Sequence, residues 1–419
     1  WAPGEFTDDT QMGIVQAAAV LDAGGIDPAL VFERLRRWAE SATDVGVSTR
    51  GALASGLSWD RAATSYLRHH PDRGAGNGAL MRATPVAVHL AAHGVDESMA
   101  AARRLAALTH GDPAAGWGAA LLHAMIAVAL DGDDPLDALP GLVDLLPPDQ
   151  RERFAPLLTR RWSPADPHVA NGSVWGCLAE AVWAVRSGGS FADIVGRAID
   201  LGGDTDTVAT VAGALAGAIG GVQSIPSRWL TYLHGWTPDD AAPDGPPRRW
   251  SAESLQAFTL QLVGLPVPPH APPPEGTGPR RVAAGLHAAD LTGALATASH
   301  WAVVSLCRVG DRFADRPVRR QVHLVDGDRA ANPGLEMVLA DVLDTIDAFH
   351  DEGREVVVHC HHGASRTGFV LRAWLIRRYR WDEPTATAHL RRLWPAVDCW
   401  NPTFTAALRR LAADLGVGE

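Results

Sequence analysis

The stretch Val356-Val357-Val358-His359-Cys360-His361-His362-Gly363-Ala364-Ser365-Arg366-Thr367-Gly368 constrains this chain more than any other. Glu355–Val358 read as an apolar strand, so Cys360 falls at a strand end. The loop 361–365 turns successive backbone N–H groups inward as an anion nest, and Gly363 permits the tight turn. From Arg366 onward the sequence reads as a helix, whose N-terminus adds positive potential at the same place. Arg366 offers a planar fork matched to two phosphate oxygens. Ser365 and Thr367 can donate hydrogen bonds to the sulfur. Together these parts favour a thiolate facing an oxyanion, which attack on a phosphate monoester requires.

Two other readings of the same residues are weaker. A buried cysteine in a common strand–loop–helix leaves the agreement of so many parts unexplained. Zinc ligation by His359, Cys360, His361 and His362 fails on geometry, because adjacent residues do not all point at one ion and no Cys-x-x-Cys spacing supports it. A leaving alcohol also needs a proton, so a general acid belongs on a neighbouring loop. The strand-like segment Arg320–Val325 runs into Asp326, with Asp328 two residues on. Asp326 is favoured because it directly follows the strand; the competing reading is a plain Asp-Gly-Asp chain reversal.

These residues resemble the dual-specificity branch of the protein tyrosine phosphatases, over roughly residues 281–419. The likeness includes the run from Ala283, the strand from Ala302 to Cys307, the cysteine loop, and Asn401-Pro402-x-Phe404 leading into a helix. It implies a phosphocysteine on Cys360, phosphoryl binding by Arg366 and proton donation by Asp326. The loop residues His361, His362, Gly363, Ala364 and Ser365 would line the phosphate cradle. His361 and His362 occupy variable positions, so the resemblance does not name the substrate.

At 419 residues the chain has room for two or three domains. A net charge of −11 excludes a general electrostatic case for nucleic acid or a membrane surface. The four cysteines at 177, 307, 360 and 399 show no disulfide framework, so a reducing cytoplasm is expected. No uninterrupted apolar run of membrane-helix length stands out.

Up to about residue 238 the periodicity is helical, with amphipathic or Ala-rich stretches at 11–23, 28–42, 96–108, 114–130, 172–187, 191–201 and 207–219. Residues 239–280 are Pro- and Gly-rich and read as a linker, with one possible helix over 251–262 packed on either neighbour. From 281 to 419 strand and helix patterns alternate. The expected fold is therefore an all-α domain followed by a three-layer α/β domain.

Two acidic clusters mark the helical half: Thr7-Asp8-Asp9-Thr10, and Gly202-Gly203-Asp204-Thr205-Asp206-Thr207. Either could simply cap a helix. The second, with a Gly-Gly turn ahead of Asp-x-Asp-Thr, gathers hard oxygen ligands of the kind that suit paired Mg²⁺ ions. Arg73–Arg82 is a glycine-rich loop entering a helix, whose backbone N–H groups suit a diphosphate. Thr109-His110-Gly111-Asp112-Pro113 joins two helices.

Together these segments resemble the ADP-ribosylglycohydrolase family over roughly residues 1–235; the most specific is the run from Leu201 to Ala218. The resemblance implies an all-α fold, two Mg²⁺ ions, and hydrolysis of glycosidic bonds between ADP-ribose and a side chain or small acceptor. It implies metal ligation by Thr7, Asp8, Asp9, Asp204, Asp206 and Thr207. It also sets Gly74, Gly76 and Asn77 towards the diphosphate and His110 near the ribose, with Asp8 or Asp9 assisting proton transfer. A Gly-Asp-Ala-x-Gly helix and an acidic loop commonly precede the Thr-Asp-Asp motif in that family. This sequence starts at Trp1, so part of the adenosine or ribose pocket is expected to lie outside it.

The expected function is a bifunctional hydrolase, acting on ADP-ribosylated proteins or small conjugates and on phosphorylated proteins or small phosphoesters. Two alternatives are a phosphatase whose helical domain only binds ADP-ribose, and a metal site serving another hydrolysis.

Overall fold

The computed structural model describes residues 1–166, 169–240, 242 and 245–417. The chain forms two compact units. The first holds residues 1–219 and 233–267, and the second holds 220–232 and 268–419.

In the first unit the seven expected helical stretches appear as Asp8–Ala23, Pro28–Ser41, Val95–Ala106, Pro113–Leu130, Val174–Arg186, Phe191–Asp200 and Thr205–Gly220. Pro113–Leu130 starts on Pro113, capped by the Asp112 carboxylate, which accepts from the Ala114 N–H. It is apolar all round and so is buried on nearly every face at the centre of the unit. It is also the only described helix long and apolar enough to cross a membrane, and its burial accounts for that composition.

The stretch expected as linker is divided between the units. Strands β1 (His234–Thr237) and β2 (Arg248–Ser251) form an antiparallel hairpin, and Ser251 caps the helix Ala252–Leu262. Trp250, Phe258 and Leu262 bury into the first unit's core, with the Trp250 and Phe258 rings 5.3 Å apart, edge to face. Residues 268–280 belong to the second unit.

The second unit is built on a five-stranded sheet of order β3-β4-β7-β5-β6. Its strands are β3 (Arg280–Ala283), β4 (Leu286–Ala289), β5 (Ala302–Ser305), β6 (Arg319–Gln321) and β7 (Val356–His359). β3 pairs antiparallel with β4, while β4, β7, β5 and β6 run parallel. Every residue of β4, β5 and β7 is buried, as expected of strands covered on both faces by helices. The strand expected over 320–325 is shorter than its pattern suggests. β6 ends at Gln321, because beyond Val322 the backbone bonds to side chains rather than to a neighbouring strand.

Candidate active sites

In the first unit Asp8 and Asp9 open the helix Asp8–Ala23, and Thr7 precedes them. Gly202 and Gly203 take φ of 76° and 70°, a left-handed turn that suits glycine and delivers Asp204 to the start of Thr205–Gly220. Carboxylate oxygens of Asp8, Asp9 and Asp206 come within 4.8 Å of one another. Burial, then the neighbouring acids, pushes Asp8 up to about 6 and Asp9 up to about 7. Asp206 is raised by burial and by Asp204. Thr7 Oγ1 donates to one Asp9 oxygen at 3.1 Å; the other, Oδ1, is buried without a partner. Like charges converging on an orphaned acceptor are costly unless a cation joins them, so the donor set fits a hard divalent ion.

Asp204, beside Asp206, is held by a network the sequence did not disclose. It accepts from Asn77 Nδ2 at 2.8 Å, and its backbone N–H donates to Asn171 Oδ1 at 3.0 Å. Asn171 in turn donates to Glu180 and to the Gly202 carbonyl. Thr207 is buried against Met81.

Several of these groups line a cavity of about 620 Å³, while Thr7 and Asp9 sit behind its wall residues rather than among them. Asp8, Asp204, Asp206, Thr207, Gly76, Asn77 and His110 line it. Gly74 does not; a side chain there would run into Leu67 at 2.3 Å, so this glycine serves packing. Gly76 and Gly78 lie against the His110 ring, where an added Cβ would sit 3.2 and 3.1 Å from ring atoms. His110 is buried and pushed down to about 3, so it is neutral. Arg82 donates to Thr109 Oγ1, and that hydroxyl pairs with His110 Nδ1 at 2.9 Å, which fixes the ring's orientation. Asp44, Thr49 and Trp175 also line the cavity and carried no local sequence signal.

In the second unit Cys360 follows β7, and the helix Ser365–Tyr379 begins five residues later. His359 is fully buried and pushed down to about 4 by that burial, hence neutral. Its Nδ1 faces the Cys360 carbonyl at 3.2 Å and its Nε2 faces Ser305 Oγ at 2.7 Å. It thus ties the cysteine to β5. The rings of His361 and His362 meet edge to face at 4.5 Å.

Arg366 Nη1 donates to the carbonyls of Leu306 (3.0 Å) and Leu324 (3.4 Å), which fixes the guanidinium. Its Nε and the Thr367 hydroxyl are buried without partners. Asp326 Oδ1 accepts from Ser365 Oγ at 2.8 Å and from Asn401 Nδ2 at 3.4 Å, so its carboxyl lies against the cysteine loop. Asp328 instead caps its own turn, accepting from the Ala331 N–H. Asn401 braces the acid loop a second time through the Gly327 carbonyl and caps the helix Pro402–Asp414.

Gly363 has φ of 67° and its carbonyl accepts from Trp394 Nε1 at 2.7 Å. A Cβ there would sit 2.8 Å from both the Ala289 carbonyl and the Trp394 ring. Gly363→Ala is expected to lower stability by about 2 kcal/mol or more, read from urea unfolding. An unchanged midpoint would show that the loop relaxes freely.

The ADP-ribosylglycohydrolase family model matches residues 1–261, and that of the dual specificity phosphatase catalytic domain matches 317–412. Both units belong to hydrolase families. The first match covers more than half the chain: it belongs to the ADP-ribosylglycohydrolase family and carries a dual specificity phosphatase catalytic domain. It is 31% identical over 237 residues to the ADP-ribosylarginine hydrolase Tri1 of Pseudomonas putida, a span of 55% of this chain and 62% of that protein. With the Tri1 of Serratia proteamaculans the identity is 29%, over 55% of this chain and 64% of that one. The chain thus spans less than two thirds of the length of these two relatives. A solved structure described as an ADP-ribosylglycohydrolase-related protein complex is 32% identical, with a TM-score of 0.50, over 62% of this chain and 82% of its own.

Proposed function

We propose that the chain is a bifunctional hydrolase. One activity is Mg²⁺-dependent hydrolysis of ADP-ribosyl glycosidic bonds; the other is hydrolysis of phosphate monoesters through a phosphocysteine. One observation supports both halves: each site holds buried polar atoms that no protein group satisfies, of opposite kind. In the first unit it is a carboxylate acceptor, Asp9 Oδ1; in the second it is two donors, Arg366 Nε and the Thr367 hydroxyl. The first kind suits a cation and the second an oxyanion or thiolate.

In the glycohydrolase half, Thr7, Asp8, Asp9, Asp204, Asp206 and Thr207 would hold two Mg²⁺ ions. Such ions supply charge compensation and Lewis-acid polarisation of bound hydroxyl groups. Asn77 and Asn171 keep Asp204 in position. Neutral His110 offers its ring to a ribose hydroxyl, and Trp175 offers a flat cavity wall to a base. Asp8 or Asp9 takes the proton of the attacking water.

In the phosphatase half, Cys360 Sγ attacks phosphorus while the bond to the leaving oxygen breaks. Arg366, Thr367 and the loop N–H groups hold the three other phosphoryl oxygens and the sulfur. Asp326 gives its proton to the leaving oxygen, then takes one from the water that cleaves the S–P bond. Asp326→Asn is expected to cut kcat about 10²-fold with a poor leaving group such as phenyl phosphate, and far less with a good one. Equal losses on both would assign proton donation elsewhere.

The names of the two relatives point to arginine-linked ADP-ribose as the first substrate to try. Release of ADP-ribose from ADP-ribosyl-arginine and ADP-ribosyl-serine peptides, with Mg²⁺ and with chelator, tests the first half. Calorimetric binding of ADP-ribose without release from either peptide would instead make that unit a binding module. Turnover of aryl phosphates tests the second half.

A further inference from the structure

The segment 220–232 lies within the part of the chain that matches the glycohydrolase family, yet it folds with the second unit. After the helix Thr205–Gly220 the chain turns at Gly221, makes a short turn over Val222–Ser224, and runs as the helix Ser227–Tyr232 along β6. β6 is an edge strand, and this segment covers it: Thr231 Oγ1 accepts from the Gln321 N–H at 2.9 Å. The Arg319 and Arg320 guanidinium groups lie over the Tyr232 ring. At the start of that helix, Ser227 N–H donates to Asp341.

Gln223 makes the contact that bears on chemistry. It is 5% exposed. Its Nε2 donates to the His323 carbonyl at 3.3 Å and to Asn332 Oδ1 at 3.1 Å, and its Oε1 accepts from the Gly334 N–H at 3.0 Å. Asn332, also buried, grips the next residue but one: its Oδ1 accepts from Val325 N–H and its Nδ2 donates to the carbonyls of Val325 and Asp328. From β6 to Asp326 each successive residue therefore has its own anchor. Val322 bonds to Ser305, His323 to Gln223, Leu324 to Arg366, Val325 to Asn332, and Asp326 to Ser365 and Asn401. Gly334 lacks a side chain where one would press on Gln223 Cβ at 3.0 Å, so the two surfaces fit closely.

We propose that Gln223 is a positioning residue of the phosphatase: a side chain from the glycohydrolase-family part of the chain that sets the loop carrying the proton donor Asp326. The inference rests on the phosphatase reading above. Gln223 touches no reacting atom and acts through Asn332 and the backbone of 323–328. A buried amide with three satisfied bonds holds one loop geometry, and a displacement on the order of 1 Å at a proton donor is enough to cost rate.

The test uses the full chain and a series of aryl phosphates, from p-nitrophenyl phosphate to phenyl phosphate. Gln223→Ala is expected to lower kcat about 10-fold on phenyl phosphate and less than about two-fold on p-nitrophenyl phosphate. The dependence of rate on leaving group should steepen, with KM nearly unchanged. Gln223→Glu keeps the acceptor for Gly334 but loses the donor to both the His323 carbonyl and Asn332 Oδ1 and sets a buried carboxylate oxygen against them, so it should cost at least as much as Gln223→Ala with the same leaving-group dependence. In an Asp326→Asn background, Gln223→Ala should cost nothing further, because the group it sets is gone. Equal losses across the series, or losses that add to those of Asp326→Asn, overturn the inference while leaving the phosphatase reading intact. No turnover of any aryl phosphate by the parent chain, or unchanged turnover in Cys360→Ser, overturns both.

Discussion

Changing Cys360 to Ser is expected to lower phosphate release by about 10³-fold or more, while release of ADP-ribose should stay within about two-fold of the parent. The substitution exchanges one atom for a slightly smaller one. The cradle does not depend on that atom: Gly363 is held by Trp394, Arg366 by two carbonyls, and Ser365 by Asp326. Phosphate binding should survive, so KM or a product-inhibition constant moves little while kcat collapses. What is lost is the thiolate: a serine hydroxyl stays protonated in the same cradle, and His359 is poorly placed to take its proton, since its two nitrogens face the Cys360 carbonyl and Ser305. The acidic-cluster residues belong to the other compact unit. Independent sites of this kind give independent effects. A variant that loses both activities at an unchanged unfolding midpoint would refute the assignment of one site to each reaction.

The parts legible in the sequence were those written locally. Cys360 to Arg366, the Gly202-Gly203 turn with its two aspartates, and the seven long helical stretches each carry their signal within a dozen or so residues. What escaped was the side-chain pairing that packing creates. Asn77 meets Asp204 across 127 positions, and Gln223 meets Asn332 across 109. Neither pair has a spacing that period or propensity could reveal. His359 shows a subtler case. In a run of four potential ligands it looked like one of a set, but β7 is buried on both faces, so its side chain goes into the core, 5.1 Å from the Phe313 ring. Composition misled over 239–280, where prolines suggested a linker. The helix expected over 251–262 forms as Ala252–Leu262, and Trp250, Phe258 and Leu262 supply enough apolar surface to anchor it, together with a hairpin that carried no signal, in the first unit's core. The same reasoning explains Gly74: read as a phosphate-facing glycine, it is small because Leu67 occupies the space.

Asp9→Asn should separate stability from activity in the first unit. It is expected to raise the unfolding free energy of the metal-free chain by about 1–3 kcal/mol and to abolish Mg²⁺-dependent release of ADP-ribose by about 10²-fold or more. Asp9 is 1% exposed, it shares a 4.8 Å neighbourhood with two other carboxylates, and one of its oxygens has no partner. Without a cation that arrangement works against the fold, because a buried like charge is neither hydrated nor paired. An amide of the same shape removes the charge, and its oxygen can still accept from Thr7. The gain comes from losing what the site needs, as expected where groups are arranged for ligand rather than for fold. Thermal unfolding with and without Mg²⁺ checks the argument independently of turnover. The parent midpoint should rise on adding Mg²⁺, as for any ligand that binds only the folded state, and the variant midpoint should not. Asp206→Ala should lose the Mg²⁺ response too, yet gain less in its absence, since Asp206 is more exposed than Asp9. A parent chain indifferent to Mg²⁺, with Asp9→Asn less stable than the parent, would mean that the acidic cluster is structural and that the cavity hydrolyses its substrate without a metal or not at all.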